Sequence, residues 1–196
     1  HGQSGGRFED GTIGRWLEET QVLFTGLTAG PQVLVGSSMG GYIALLLLRH
    51  LQRERPADAA RVRALVLIAP AWDMTERLMW PRFSEAARRA IREEGVWLRP
   101  SHYGDGPYPI TRGLIEDGRR HLLGGDASFE PGVPVHVLHG LEDPDVPWRH
   151  SLGLLARWPH NARATWVGDG DHRLSRPEDL GLLLAVVGTV VAAIGA

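Results

Sequence analysis

The sequence predicts an α/β fold, a mostly parallel sheet covered by helices on both faces. Three observations predict it. Four short apolar runs, at residues 33–35, 62–70, 133–140 and 162–168, have the length and composition of strands. Segments with helical spacing alternate with them. The runs read as apolar on both faces, which is expected where helices cover both sides of a parallel sheet. The 196 residues are enough for one domain with a sizeable core, and no composition shift or repeat marks a boundary, so a single domain over 1–196 is expected.

Taken in order, residues 1–14 are rich in glycine and polar side chains and read as loop. Apolar spacing around Trp16, Val22 and Phe24 predicts a helix from about Ile13 to Leu27. Gly30-Pro31 ends it and opens the first strand, Val33-Leu34-Val35. The helix after Ser38 runs to about Arg53 and is broken by Pro56; Val62 to Pro70 is the second strand. A charged helical run follows at residues 84–94. Residues 95–109 read as irregular and aromatic, and a further helix is expected from about Thr111 to Leu123. Val133 to Gly140 is the third strand. A helix from Pro147 to about Trp158, with proline in its first turn, leads to the fourth strand, Ala162 to Gly168. The last helix runs from Pro177 to Ile194. Its apolar stretch is broken by Gly181, Gly188 and Gly195 and is short for a bilayer span, so it is expected to face the core.

The block at about 74–125 is too long for a simple crossover between the second and third strands. It is expected to be a helical cap over a site, with Trp97, Tyr103 and Tyr108 lining a cavity. An ordinary surface insertion is the alternative.

The first strand passes through Gly36-Ser37-Ser38-Met39-Gly40 into Tyr42-Ile-Ala-Leu-Leu-Leu-Leu48. Strand, G-x-S-x-G and helix make the setting of a nucleophile elbow, a tight turn that lifts one side chain, Ser38, above the sheet. Gly36 and Gly40 are expected where a Cβ would clash. The turn heads a helix, so free amides such as that of Met39 can hold a developing oxyanion. Gly2-Gln3-Ser4-Gly5-Gly6 matches the same pattern, but no strand precedes it and no apolar helix follows, so it reads as a turn.

A serine hydroxyl needs an adjacent base, and the base needs a group to orient it. Functional groups gather at the carboxyl ends of such strands. Of the histidines after the third strand, His150 and His160 lie within and after a helix. His172 sits in the Gly168-Asp-Gly-Asp-His172 loop directly after the fourth strand, free to reach Ser38. The third strand ends in carboxylates, of which Asp143 is the expected partner and Asp145 the fallback, with a helix N-cap as the competing role for either. Asp169 and Asp171 are expected to shape the loop. His136 and His139, three apart on a strand, face opposite sides and cannot share an ion, so no metal is assigned.

These residues resemble a known family. Gly36-x-Ser38-x-Gly40, His139-Gly-x-x-Asp143-x-x-Val-Pro147 and Gly170-Asp-His172 are the three signatures of α/β-hydrolases. Glu94-Gly-Val-Trp97, Pro100-Ser-x-Tyr103, Val146-Pro-Trp148 and Asp171-His-Arg173 look like the branch of mitochondrial acyl-protein thioesterases that also cleave acyl glucuronides. The resemblance implies a serine hydrolase acting on a carboxylic ester or thioester through an acyl-enzyme, with Ser38 the nucleophile, Asp143 the acid and His172 the base. It departs at the front. The strands that precede His1 in such folds, and the loop giving the second oxyanion amide, are not in this sequence. The first strand is therefore expected to be an exposed apolar edge, and a further half-sheet is expected ahead of His1. Losing one oxyanion donor is worth on the order of 100- to 1,000-fold in rate.

Composition closes off several classes. There is no cysteine, which excludes disulfides, thiolate metal sites and cysteine catalysis. There is no lysine, which excludes Schiff-base chemistry and a P-loop lysine. A formal net charge of -2 gives no pull toward nucleic acid. The expected partner is a small-molecule ester or an S-acylated substrate, with no cofactor and no stable membrane span. A cytoplasmic location is expected, with a targeting segment left open by a start at His1. A carboxylesterase or lactonase of other specificity, and a hydrolase-like binding module without activity, stand as the rival readings.

Overall fold

Four parallel strands form the sheet in the order β1 (Gln32–Ser37), β2 (Val62–Ile68), β5 (Val135–Gly140) and β6 (Ala162–Val167) in a computed structural model that describes residues 5–100 and 106–195. The central strands β2 and β5 are almost wholly buried, and β1 and β6 are half-buried edges. Alternation of side chains along β2 separates two apolar layers. Leu65 and Leu67 join the main core, while Val66 and Ile68 face a smaller cluster on the other side.

The main core lies under α1 (Ile13–Leu27), α2 (Met39–Glu54) and α6 (Trp148–Arg157). Helix α1 begins where Thr12 accepts the Arg15 amide. Helix α2 is the most deeply buried, with Tyr42 and Leu45 to Leu48 essentially inaccessible. Helix α7 (Pro177–Gly195) covers the other layer, but only one stripe of it, including Leu182, Val186 and Val190, packs against Val66, Ile68 and Leu138. Leu184 and Val191 face away from the core, so the expected core-facing helix is half realised. By length and composition α7 alone, among the described residues, could cross a membrane.

Between β2 and β5 the two helices expected there are present, and further short elements accompany them. A π-helical turn (Thr75–Met79) and a 3-10 turn (Trp80–Arg82) precede α4 (Glu85–Glu93), which is capped by Ser84. The stretch expected to be irregular holds two antiparallel strands, β3 (Val96–Arg99) and β4 (Tyr108–Thr111). Proline and glycine masked the pairing: Pro109 sits opposite Leu98, where a short two-stranded ribbon tolerates a residue without an amide hydrogen. Thr111 caps α5 (Arg112–Arg120), and the Asp117 carboxylate on α5 accepts the Gly14 amide at 2.6 Å, tying this block to α1. Pro56 opens a single helical turn, α3 (Pro56–Ala59), rather than only ending α2.

Candidate active site

The elbow between β1 and α2 holds Ser38 at φ 52° and ψ -119°. Such a conformation costs a residue with a Cβ of order 1–3 kcal/mol and persists only where neighbours over-determine it. Here the Ser38 amide donates to the Ile68 carbonyl at 2.8 Å and the Ser38 carbonyl accepts the Ala71 amide at 3.0 Å, bracing the turn against the end of β2. Gly36 fits the expected close approach, since a Cβ there would lie 2.5 Å from the Gly40 carbonyl oxygen. Gly40 does not: a Cβ on it would meet open space. The second crowded glycine is Gly41, 3.1 Å from the Pro70 side chain. A serine before a helix ordinarily caps it, yet Ser38 makes no side-chain cap bond. Its hydroxyl is directed elsewhere.

That direction is toward His172. Ser38 Oγ lies 3.0 Å from His172 Nε2, and His172 Nδ1 lies 2.7 Å from Asp143 Oδ2. The ionised carboxylate only accepts, so Nδ1 carries hydrogen and the neutral ring presents Nε2 as acceptor to the Ser38 hydroxyl. The hydrogen bond from Nδ1 to Asp143 pushes the His172 pKa up, against the opposing effect of burial; the charges of Asp143, Asp145 and Asp171 push the same way. Burial alone would raise the Asp143 carboxyl, but donors from His139, His172 and the Val146 amide outweigh it and hold the group well below the usual carboxylate range.

The turn carrying Asp143 is built from its own side chain. Oδ1 accepts the amides of Asp145 and Val146, each at 2.8 Å. Asp145, the fallback, does not stand in the Ser38–His172 line and does not cap α6, whose N-cap is Pro147. The β5 and β6 loops press together at Gly140, where any Cβ would collide with the Gly170 backbone. Asp171 accepts the amides of Arg173 and Leu174, and Asp169 pairs with Arg176, so both shape the loop as expected. His150 is engaged elsewhere, stacked on Trp72 with Nε2 on the Trp72 carbonyl, and burial lowers its pKa to about 4.

The Met39 amide heads α2 and belongs to the first-turn amides that a helix leaves without internal acceptors. Ser38, Met39 and His172 open onto a cavity of about 550 Å³ with a largely apolar wall that includes Met74, Leu78, Met79 and Leu114. Tyr108 lines it as expected. Trp97 does not: on β3 its ring packs edge-on against Phe83 at 5.0 Å. Tyr103 lies outside the described residues. Asp143, Asp145 and His172 bring donor atoms within 4.8 Å of one another, the nearest approach to a metal-binding group among the described residues. One atom from each of His172 and Asp143 is already engaged with the other. The sequence named His139 as one of a strand pair and as the start of the His139-Gly-x-x-Asp143 signature, but not its contact with Asp143, nor Ser151 behind it. The available signals were that signature and a polar residue at the end of an apolar strand.

The model of the alpha/beta hydrolase family matches residues 1–191. Among curated proteins, the mitochondrial palmitoyl-protein thioesterase ABHD10 of Bos taurus is 31% identical over 194 residues, 97% of this chain and 60% of that protein. Among solved structures, a protein from Agrobacterium vitis S4 superposes with a TM-score of 0.91 at 41% identity, over 97% of this chain and 72% of that one. Mouse alpha/beta hydrolase domain-containing protein 10 gives 0.82 at 27% identity, over 98% and 74%. The chain spans about 60% of the length of these thioesterase relatives. Those relatives are named as mitochondrial, whereas the sequence by itself led to a cytoplasmic expectation.

Proposed function

This chain belongs to the alpha/beta hydrolase family, and on that premise we propose that it is a serine hydrolase cleaving a carboxylic ester or thioester through an acyl-enzyme. The observation that carries the reading is the hydrogen-bonded line from Ser38 through His172 to Asp143, opening onto an apolar cavity. Ser38 Oγ attacks the acyl carbon while its proton passes to His172 Nε2. Asp143 holds the ring in the tautomer that receives the proton and stabilises the imidazolium. Charge on the former carbonyl oxygen falls to the Met39 amide. Collapse breaks the bond to the thiolate or alkoxide, which leaves with the His172 proton. Water then attacks the acyl-enzyme with His172 again as base, releasing the acid and restoring Ser38.

A fatty thioester is the preferred substrate class. The supporting facts are the palmitoyl-protein thioesterase relatives and a cavity within the roughly 300–1,000 Å³ of ligand pockets, walled by methionine and leucine. Residues at about 74–125 act in this reading as a cap, since Met74, Leu78 and Leu114 line the cavity from that block. Labelling of the full-length protein with a fluorophosphonate, and comparison of S-acyl with O-acyl ester turnover, test the two levels separately. An unlabelled protein, or equal labelling of Ser38→Ala, refutes the serine mechanism. Faster O-acyl turnover refutes only the thioester preference.

A further inference from the structure

Asp143 meets a second histidine that the proposed reaction does not use. His139 is the penultimate residue of β5 and is wholly buried, at 0% exposure. Its Nε2 lies 3.2 Å from Asp143 Oδ2 and 2.9 Å from the Val146 carbonyl oxygen. Both partners are acceptors, so Nε2 carries hydrogen. On the far side of the ring Nδ1 lies 2.8 Å from Ser151 Oγ on α6, and Ser151 is wholly buried as well. In the neutral ring that nitrogen accepts the hydroxyl hydrogen.

Placing two polar side chains at the end of a central strand costs desolvation that an apolar pair would avoid. A reason for them lies in the carboxylate. Oδ1 of Asp143 is fixed by two amides of its own turn, whatever happens in the site. Oδ2 faces His172, whose charge changes twice in each turnover of the proposed cycle. Without a second donor, Oδ2 would be held only by the ring it is meant to orient.

We infer that His139, backed by Ser151, is a positioning residue that keeps Oδ2 of Asp143 aimed at His172 Nδ1 throughout the reaction. The inference rests on the Ser38–His172–Asp143 reading. It extends the line by two members, Ser151 to His139 to Asp143, and ties the loop after β5 to α6.

The test uses full-length protein, p-nitrophenyl butyrate turnover and fluorophosphonate labelling. In His139→Leu the donor is gone. The expected result is a fall in kcat of about 10- to 100-fold, the scale on which partners behind a ligand act, with KM within about 2-fold. In His139→Gln an amide N–H can reach the same oxygen, and most of the loss is recovered. The acid limb of the kcat/KM profile also moves in the leucine variant and not in the glutamine variant, while Asp143, Asp145 and Asp171, which face His172, are unchanged in both. Equal losses in the two variants, an unmoved profile, or wild-type kcat in His139→Leu overturn the inference. Should His139→Leu not fold, Ser151→Ala is measured instead, with a smaller fall in kcat expected and an unchanged kcat refuting the role. Wild-type protein that is not labelled overturns the serine reading and this inference together. Labelled protein indifferent to His139 overturns the inference alone.

Discussion

His172 Nε2 and Ser38 Oγ stand 3.0 Å apart although 134 residues separate them in the chain. Each is presented at the carboxyl end of a strand, Ser38 after β1 and His172 after β6, the two outermost strands of the four-stranded sheet. Such loops can vary around a rigid sheet while the sheet fixes their distance.

Removing either partner should nearly abolish turnover. Ser38→Ala and His172→Gln are each expected to lower kcat by at least about 10⁴-fold with little change in KM. Ester kinetics on folded variants, checked by circular dichroism, decide this; a loss under tenfold for either would refute the roles assigned.

The pH profile follows from the direction of the His172 shift. Its pKa is raised, chiefly by the hydrogen bond to Asp143, and in the proposed mechanism it acts as base only when neutral. The acid limb of kcat/KM is therefore expected above the ordinary imidazole value of about 6.5. Activity falls as pH drops through that limb. In Asp143→Asn the main raising cause is gone, so the limb should move down while the rate falls by about 10⁴-fold.

The same pair makes a prediction about stability. The depressed Asp143 pKa contributes stability that is present above about pH 3.9 and lost as pH falls through the lower folded value. The raised His172 pKa contributes stability present below about pH 6.5 and lost as pH rises through its folded value. Urea titrations between pH 2 and 9 should show Asp143→Asn losing less stability than wild type at the acid end. Parallel curves would contradict the linkage.

Gly36→Ala and Gly40→Ala should differ sharply. A Cβ at Gly36 would press on the Gly40 carbonyl, and overpacking of this kind costs about 1–3 kcal/mol. A Cβ at Gly40 meets nothing and lies in the first turn of α2, where alanine gains up to about 1 kcal/mol of helix propensity. Denaturation midpoints of the two variants settle which glycine the elbow needs.

Cavity shape should control acyl length. Met74→Trp puts a larger side chain into the apolar wall of the cavity onto which Ser38 opens. Long-chain esters are expected to lose kcat/KM by about 10- to 200-fold relative to acetyl or butyryl esters, the range that a pocket-size change supplies. A uniform effect across chain lengths would remove the acyl chain from this cavity.

Much of this was legible in the residues, for identifiable reasons. Helix α1 carries apolar spacing and a threonine cap, so its limits, Ile13 to Leu27, follow from pattern alone. The elbow was readable because G-x-S-x-G lies between an apolar strand and an apolar helix. The short β3–β4 ribbon was not. Its pairing depends on contacts between segments that individually look like aromatic loop, with Pro109 inside one of them. The contribution of Gly41 rather than Gly40 depends on where Pro70 comes to rest, a tertiary fact. His139 reads in sequence as one half of a histidine pair on a strand. Only packing reveals that α6 brings Ser151 to one side of it and the Asp143 turn to the other.

Strand β1 forms an outer margin of the sheet, with Val35 51% exposed and Leu27 of the adjoining α1 79% exposed. The Ser38 hydroxyl, the nucleophile of the proposed mechanism, thus rides on a strand that among the described residues pairs on one side only. In these 196 residues, peeling of that margin would disarm the reaction while β2 and β5 still stood. Warming should silence fluorophosphonate labelling several degrees before ellipticity collapses, and anything that zips onto the bare margin should bring the two transitions together.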